Sequence, residues 1–272
     1  MRKKTLLVCF LVPGLSVFVA FFVLPVALLV PRSLDSPAGW AIYAQVLSNP
    51  RYWSSLVATV LLSLAVSFAA LVIGGTAALF LERNAFPGRD LLVGMLVLPL
   101  SFPGVVVGFM VIMLAGRQGI IGLAAKALFG SRLVFAYSVA GLFVGYLYFS
   151  IPRVVTTVMA AVSKLETAQE EAARTLGASN FRSLVDVTLP ALVPALVSTG
   201  AICFATSVGA FGTAFTLATE INVLPIVIYT EFTLFANFAT AAMLSVVLGC
   251  VTWLILFLAK LLLGFQTSGR GG

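Results

Sequence analysis

The sequence predicts an all-α integral membrane protein with six transmembrane helices. Hydrophobic residues make up 61% of the 272-residue chain and charged residues only 9%, whereas a soluble domain is about half apolar and about a quarter charged. The apolar residues also form long runs, and a helix needs about 20 of them to cross the hydrocarbon core of a bilayer. No soluble domain of useful size fits between these runs.

Six apolar runs are long enough to be membrane spans. The first follows Arg2, Lys3 and Lys4, as in a signal peptide, but it is about twice as long as the hydrophobic region of a signal peptide. No small-residue cleavage site follows it, so we treat it as a true span. Residues 1–272 are then one transmembrane domain with spans at 5–30, 55–81, 91–115, 133–157, 191–217 and 236–264.

The basic residues predict the orientation of the spans. With the N-terminus inside, 11 of the 16 basic residues fall on the cytoplasmic side, and loops rich in Lys and Arg stay in the cytoplasm. Both termini are therefore expected to be cytoplasmic. The external segments are then 31–54, 116–132 and 218–235, and the last of these contains Glu231. The cytoplasmic set is Arg2, Lys3, Lys4, Arg83, Arg89, Arg153, Lys164, Arg174, Arg182, Lys260 and Arg270.

The composition excludes several classes of function. The chain has no His, which excludes a Ser-His-Asp triad and a His-ligated metal. Cys9, Cys203 and Cys250 each lie in an apolar run, as small buried hydrophobes do. The sequence lacks a G-x4-G-K-[ST] phosphate loop, and the absence of acidic residues within the spans argues against a proton- or sodium-coupled carrier. A transport function therefore needs energy from a partner.

The longest polar stretch, residues 163–190, lies between the fourth and fifth spans. Its pattern predicts two short helices joined by a turn, which form a compact hairpin at the cytoplasmic surface. Gly177 is placed where the residue after a helix C-terminus adopts a left-handed conformation, and Ser179 or Asn180 can cap the next helix. Pro190 is expected to end that helix or to begin the fifth span.

The hairpin contains Glu171-Ala172-Ala173, three further residues, Gly177, nine further residues and then Val187-Thr188-Leu189-Pro190. This motif resembles the EAA loop of binding-protein-dependent ABC importer permeases. The family pattern is EAA-x3-G-x9-I-x-L-P, so Val187 in place of Ile is the one departure, and it keeps an apolar side chain. The resemblance implies the fold of a type I ABC importer permease, with the hairpin as the coupling helix that docks on a separate ATPase.

The resemblance also implies roles for individual residues of the hairpin. Glu171 would make polar contacts with the ATPase, Ala172 and Ala173 would allow close approach of helices, and Gly177 would set the elbow. An ordinary amphipathic hairpin at the membrane interface is the alternative, but it would tolerate many sequences. The residues expected to couple to the ATPase are Glu170, Glu171, Ala172, Ala173, Gly177, Leu189 and Pro190.

Three further segments resemble a subgroup of these permeases. Residues 98–104, 116–122 and 209–212 are similar to permeases for polyamines, ferric iron, thiamine, aminoethylphosphonate, molybdate and sulfate. Some of that group have an acidic residue before the Phe-Gly pair, where this chain has Ala210. The implied cargo is a small polar solute, with a polyamine or aminoethylphosphonate favoured.

Prolines in the third span predict a break in that helix. Pro99 and Pro103 remove two backbone donors, so the span must be kinked or locally unwound, and broken helices at membrane depth commonly border a cavity. Ser101 and the backbone around it are therefore candidates for the translocation path, although a plain kink would serve helix packing alone. The candidate path residues are Pro99, Ser101, Pro103, Tyr146, Ser207, Phe211 and Gly212. Hydroxyls in such positions more often bond between helices than contact cargo.

These observations predict a multi-pass permease subunit of an ATP-driven importer in the bacterial inner membrane. It would form the translocation path among membrane lipids with a second permease subunit, either the same or a related chain, and receive its solute from a periplasmic binding protein. The chain itself would bind no cofactor, metal or nucleic acid, and ATP and Mg would belong to partner ATPase subunits. A self-contained secondary transporter or channel is the alternative, but the sequence shows neither an inverted repeat nor a buried charge.

Overall fold

The computed structural model describes residues 11–37, 39–165, 167–217 and 222–268, with the backbone alone for Thr167 and 262–268. All the regular elements in these ranges are helices. In chain order they are α1 Leu11–Ser33, α2 Ala41–Leu47, α3 Pro50–Arg83, α4 Arg89–Val97, α5 Gly104–Ala115, α6 Ile120–Phe129, α7 Val139–Val162, α8 Thr167–Thr175, α9 Asn180–Val208, α10 Phe211–Leu217, α11 Leu224–Thr233 and α12 Phe238–Ser268.

Six helical stretches of the described chain are long and apolar enough to cross a membrane. They are Leu11–Ser33, Pro50–Arg83, Gly104–Phe129, Val139–Val162, Asn180–Val208 and Phe238–Leu261. This number confirms the predicted all-α membrane fold with six spans. The fourth membrane-length helix, α7, begins later than the predicted residue 133, because Ser138 is extended at its N-cap. The predicted start of the first span, before Leu11, lies outside the described residues.

The third predicted span, 91–115, is not one helix. α4 ends at Val97, a 3-10 turn covers Leu98–Ser101, Phe102 is extended, and α5 begins after Pro103. The expected interruption is therefore present, since a proline lacks the N–H that a helix interior needs. The membrane-length stretch lies further along the chain than predicted and joins α5 to α6.

The fifth predicted span, 191–217, differs from the structure at both ends. α9 runs without a stop from Asn180 to Val208, and the chain breaks at Gly209 and Ala210 before α10 begins. Pro190 does not end the preceding helix, because the π turn Leu184–Thr188 continues into the α-helical part Leu189–Val208, and Pro190 lies in the first turn of that part, as the alternative prediction had it. In a π turn the backbone hydrogen bonds join residues five apart instead of four. Such turns occur where the regular hydrogen bonds of an α-helix are interrupted. The second helix of the hairpin is thus the first part of the fifth membrane helix.

The chain divides into two compact units, one from the described parts of Met1–Val57 and Leu224–Val251, the other from those of Ala58–Val223 and Thr252–Gly272. In the first unit, Glu231 of α11 is only 3% exposed. Its carboxylate accepts a 2.9 Å hydrogen bond from the Tyr52 hydroxyl and lies 3.9 Å from the Arg51 guanidinium. The sequence placed Glu231 in an external segment, where burial of a carboxylate was not expected.

The core of the second unit is built by α3, α7 and α9. Ala78, Val154, Leu192 and Cys203 belong to this core and are almost fully buried. Cys203 is therefore the small buried hydrophobe that the sequence suggested. Cys250 is exposed on the isolated chain, which corrects the same expectation for that residue, because an outward position on a membrane helix is apolar without being buried in protein. Cys9 lies outside the described residues.

Two adjacent buried glycines of α3 lie against neighbouring helices, and the space around each shows how closely those helices approach. A Cβ atom on Gly74 would lie 2.8 Å from Val154 Cβ and 3.1 Å from the Ile151 carbonyl oxygen. A Cβ atom on Gly75 would meet Leu196 Cδ2 at 3.9 Å, an ordinary van der Waals contact. A change to Ala raises the helix propensity by the same amount at either glycine. A difference in stability between the two variants therefore measures the clash between α3 and α7.

We expect Gly74→Ala to lower the free energy of unfolding by about 1–3 kcal/mol relative to Gly75→Ala, as overpacking in cores does. The measurement is the thermal unfolding midpoint of the two purified variants in the same detergent. Equal midpoints for the two variants would contradict the close approach of α3 to α7.

Candidate functional site

The polar hairpin between α7 and the membrane part of α9 is closed by a glycine turn. Gly177 has φ of 88° and is left-handed, and the Ala178 N–H donates to the Ala173 carbonyl at 3.0 Å. This bond from the residue after the glycine is the one that ends a helix in a Schellman motif. The Ser179 hydroxyl accepts the Arg182 N–H and caps α9. The predicted turn glycine and one of the two predicted capping residues are therefore confirmed.

The outer surface of the hairpin carries both apolar and acidic side chains. Leu176 is 89% exposed and Phe181 is 74% exposed, and both flank the turn at Gly177. Glu171 and Ala172 are also exposed on α8, while Ala173 is half-buried. Large apolar side chains grouped at one point of a surface typically mark an interaction site. The hairpin therefore leaves large apolar side chains exposed, unlike the compact hairpin expected from the sequence.

The inner side of the hairpin is tied to α3 through Glu170. Its carboxylate forms a salt bridge with Arg83, the last residue of α3, and accepts a 2.6 Å hydrogen bond from the Thr188 hydroxyl. Arg83 also donates to Thr188 at 3.1 Å. Thr188 is 1% exposed and the Glu170 side chain is 14% exposed, so these two groups are largely shielded from water, while the Arg83 side chain is 34% exposed.

Glu170 and Glu171 differ in what they contact. Both line a cavity of about 470 Å³, but the Glu170 carboxylate is bonded to Arg83 and Thr188, whereas the Glu171 side chain is exposed. Sequence reasoning assigned both glutamates to the ATPase and did not single out Arg83 or Thr188. Arg83 directly follows Glu82 at the end of a long apolar run, and this position was the available signal. Leu189 is 42% exposed and Pro190 is half-buried just beyond the π turn.

A second cavity, of about 370 Å³, lies where the third and fifth predicted spans are broken. Three of the seven candidate path residues, Pro99, Phe211 and Gly212, line it. Ser101 and Pro103 are exposed and are not among its lining residues. The described residues that line it are Pro99, Leu100, Phe102, Gly104, Val105, Phe149, Arg153, Gly209, Ala210, Phe211, Gly212 and Thr213.

The remaining two candidates support the cavity wall without lining it. Tyr146 is 2% exposed, and its hydroxyl donates to the Ala210 carbonyl at 3.0 Å, which holds the break between α9 and α10. Ser207 is fully buried, and its hydroxyl has no hydrogen-bond partner among the described residues. Among the lining residues, the Thr213 hydroxyl donates to the Gly104 carbonyl at 2.9 Å and joins α10 to the start of α5.

Arg153 is a site residue that sequence reasoning missed. The positive-inside count assigned it to the cytoplasmic side although it falls within the predicted span 133–157, and α7 continues past that span to Val162. Arg153 is half-buried, lines the cavity between the two breaks, and donates from Nη1 to the Thr206 hydroxyl at 2.7 Å. The apolar residues after it were the signal that the helix extends beyond residue 157. This half-buried charge within α7 departs from the prediction that the spans carry no buried charge.

Residues 70–268 match the family described as "Binding-protein-dependent transport system inner membrane component". This chain belongs to that family. It is therefore an ABC importer permease and a multi-pass integral membrane protein. Within the described residues, no group of three or more His, Cys, Asp or Glu side chains is placed to hold a metal ion.

Relatives of this permease include proteins named for different solutes. It is 36% identical over 176 residues to the molybdenum transport system permease protein ModB of Escherichia coli, which covers 65% of this chain and 76% of ModB. It is 34% identical over 222 residues to the sulfate transport system permease protein CysT of E. coli, covering 80% and 79% of the two chains. It is 27% identical to the putative 2-aminoethylphosphonate permease PhnU of Salmonella typhi, covering 87% and 84%.

Solved structures share the fold of the permease at low sequence identity. A chain of a bacterial ABC transporter for import of the acidic polysaccharide alginate matches with a TM-score of 0.83 and 18% identity, covering 96% of each chain. A chain of the MetNI methionine ABC transporter in an inward-facing conformation matches with a TM-score of 0.61 and 19% identity, covering 80% of this chain and 99% of that one. These matches confirm the predicted importer permease fold.

Proposed function

We propose that this permease forms the translocation path of an ATP-driven importer in the bacterial inner membrane and docks a separate ATPase through its hairpin. The observation that carries the proposal is the exposed surface of Leu176, Phe181 and Glu171 around the turn at Gly177. Such a surface is costly in water and suits a cleft on a partner. The alternative, a plain interfacial hairpin, gives no reason for the shielded link from Glu170 to α3.

The hairpin is suited to pass movement from a soluble motor into the membrane. Glu170 of α8 is held by Arg83 at the end of α3 and by Thr188 in α9. When ATP brings two ATPase subunits together, the docked hairpins would move, and α3 and α9 would follow as rigid elements. ATP binding to the ATPase subunits then favours one of two arrangements of the path, because these subunits bind ATP more tightly in that arrangement. Both termini of the permease would lie in the cytoplasm with the hairpin.

The assembly that this mechanism needs contains more than one kind of subunit. A second permease subunit, the same or a related chain, would close the path, and two ATPase subunits would bind ATP and Mg. A periplasmic binding protein would deliver the solute, in line with a solved structure of the same fold, a bacterial alginate ABC transporter in complex with an alginate-bound periplasmic protein. A self-contained secondary transporter is less favoured, because it would leave the hairpin surface without an occupant.

The solute we propose is small and polar, and of the two favoured classes an aminoethylphosphonate-like solute suits the chain better than a polyamine. One relative is named for 2-aminoethylphosphonate, and two others are named for molybdenum and sulfate transport. The cavity between the helix breaks has Arg153 as the charged residue of its described lining and no carboxylate. A cationic polyamine would meet like charge there, which is unfavourable.

The test of docking is whether a change of Glu171 releases the ATPase. We expect the wild-type permease, purified in detergent from its native cells, to retain a partner that hydrolyses Mg-ATP. Glu171→Lys reverses an exposed charge at the proposed contact, and like charges across an interface cost several kcal/mol. The captured ATP hydrolysis should therefore fall about tenfold or more.

The matched control is Asp90→Lys. Asp90 is 95% exposed at the start of α4, on the same predicted side of the membrane, and it undergoes the same change of charge outside the hairpin. We expect Asp90→Lys to retain the wild-type amount of ATP hydrolysis. Equal retention by the two variants would show that the hairpin is not the docking element.

A further inference from the structure

Arg153 places a positive charge well inside a membrane-length helix. It lies in α7, nine residues before the last residue, Val162, which is about 14 Å along the axis at 1.5 Å per residue. Ionisable groups at such depth are costly, and they usually face a cavity or a solute path. Arg153 follows this pattern, because it lines the cavity between the broken third and fifth spans.

The charge of Arg153 has no carboxylate beside it in the described part of the chain. Its side chain donates to the neutral hydroxyl of Thr206, and the salt bridges of the described residues involve other arginines. A guanidinium carries five N–H donors in a planar fork. One donor used by Thr206 leaves the others for a ligand in the cavity.

A second part of the cavity lining adds to the positive potential. Gly104 and Val105, which line it, are the first two residues of the twelve-residue helix α5. The first N–H groups of a helix have no acceptor within the helix, and the helix dipole gives this end a partial positive charge. The described lining contains no acidic residue. Arg153 and the start of α5 therefore both favour a negatively charged ligand in this cavity.

We propose that Arg153 and the first turn of α5 form an anion subsite on the translocation path that accepts a small oxyanion. The guanidinium fork matches two oxygens of a carboxylate, sulfate or phosphonate group in a bidentate contact. This proposal rests on the proposed function, since it takes the cavity to be part of the path. The subsite replaces part of the hydration of the anion while it passes the two helix breaks.

Arg153 could instead act only as a link between α7 and α9 through Thr206. The two roles predict different effects of neighbouring substitutions. If the link were its purpose, Thr206→Val would remove the same hydrogen bond and reproduce the effect of Arg153→Gln. If Arg153 binds the anion, Thr206→Val leaves the charge in place, and Arg153→Lys keeps the charge but loses the fork geometry.

The experiment measures ATP-dependent uptake by membrane vesicles that contain the whole importer with its ATPase and binding protein. The probes are radiolabelled sulfate, molybdate, 2-aminoethylphosphonate and, as the cation, spermidine. We expect uptake of at least one oxyanion and not of spermidine. Arg153→Gln should reduce that uptake about tenfold or more, as the loss of a charged contact does. Arg153→Lys should reduce it less, and Thr206→Val should stay within about twofold.

The purified variants are also assayed for the captured ATPase, which should remain at the wild-type amount because the hairpin is unchanged. The proposal is overturned if Arg153→Gln leaves oxyanion uptake intact, if Thr206→Val lowers it as much, or if spermidine is transported. It is equally overturned if a wild-type importer that retains its ATPase takes up none of the three oxyanions. Failure of the proposed function is distinct, since the wild-type permease would then retain no ATPase.

Discussion

Glu170→Ala is expected to destabilise the permease by about 2 kcal/mol, because it leaves a shielded hydrogen-bond donor and a charge without their partner. Thr188, at 1% exposure, would lose the carboxylate that accepts its hydroxyl hydrogen, and Arg83 would lose its salt bridge. The measurement is a double-mutant cycle with Arg83→Ala, followed by thermal unfolding in detergent. The two changes should couple by about 1–3 kcal/mol, as contacting residues do.

The control cycle uses Arg182 and Asp186 on the same hairpin. Their side chains are 75% and 58% exposed, at a distance of 3.2 Å. Exposed pairs of this kind contribute about 0.5 kcal/mol or less, so Arg182→Ala and Asp186→Ala should be nearly additive and nearly neutral. Similar coupling energies in the two cycles would mean that Glu170 is not the link between α8 and α3.

The same link predicts a functional effect of Glu170→Ala. The exposed surface of Leu176, Phe181 and Glu171 is unchanged by this substitution, so the ATPase should stay bound. Without this link, movement of the hairpin would be transmitted to α3 less efficiently. If the activation free energy of that step rises by about 1.4 kcal/mol, transport slows about tenfold. We therefore expect normal capture of the ATPase but reduced uptake for each ATP hydrolysed.

Gly177→Val should abolish docking of the ATPase. Gly177 has φ of 88°, and a β-branched residue in this conformation is strained by about 1–3 kcal/mol. The chain can relieve the strain by opening the turn, which separates Leu176 from Phe181 and removes the docking surface. The measurement is captured Mg-ATP hydrolysis, which should fall to the background of the assay. Gly177→Asn should keep part of it, because Asn tolerates the left-handed conformation better than other side chains.

Gly88→Val is the matched control for this change. Gly88 also has φ of 88°, and an added Cβ at either glycine would meet no heavy atom within 4 Å. The two variants therefore suffer the same backbone strain without a clash, but Gly88 precedes α4 and lies outside the hairpin. Gly88→Val should retain the ATPase. Loss of the ATPase from both variants would indicate general destabilisation, and the role assigned to the elbow would be wrong.

Several features of the site could be predicted because they depend on local sequence. Gly177 and Ser179 act on the backbone groups nearest to them, so their place between two helices predicts their conformations. The break at Pro99 and Pro103 follows in the same way from missing N–H groups. In contrast, the break at Gly209 was not predicted, since glycine and alanine are common within membrane helices and give no local stop signal.

The sequence by itself determined the membrane class of the protein, the number of spans and the position of the polar hairpin, because hydrophobic run length and turn chemistry are properties of neighbouring residues. Only the tertiary structure decided which charges are buried and what they meet. Arg153, Glu170 and Glu231 acquire their surroundings from helices that are distant in sequence. The physical reason is that the cost of a buried charge depends on the groups packed around it, and long-range contacts alone supply those groups.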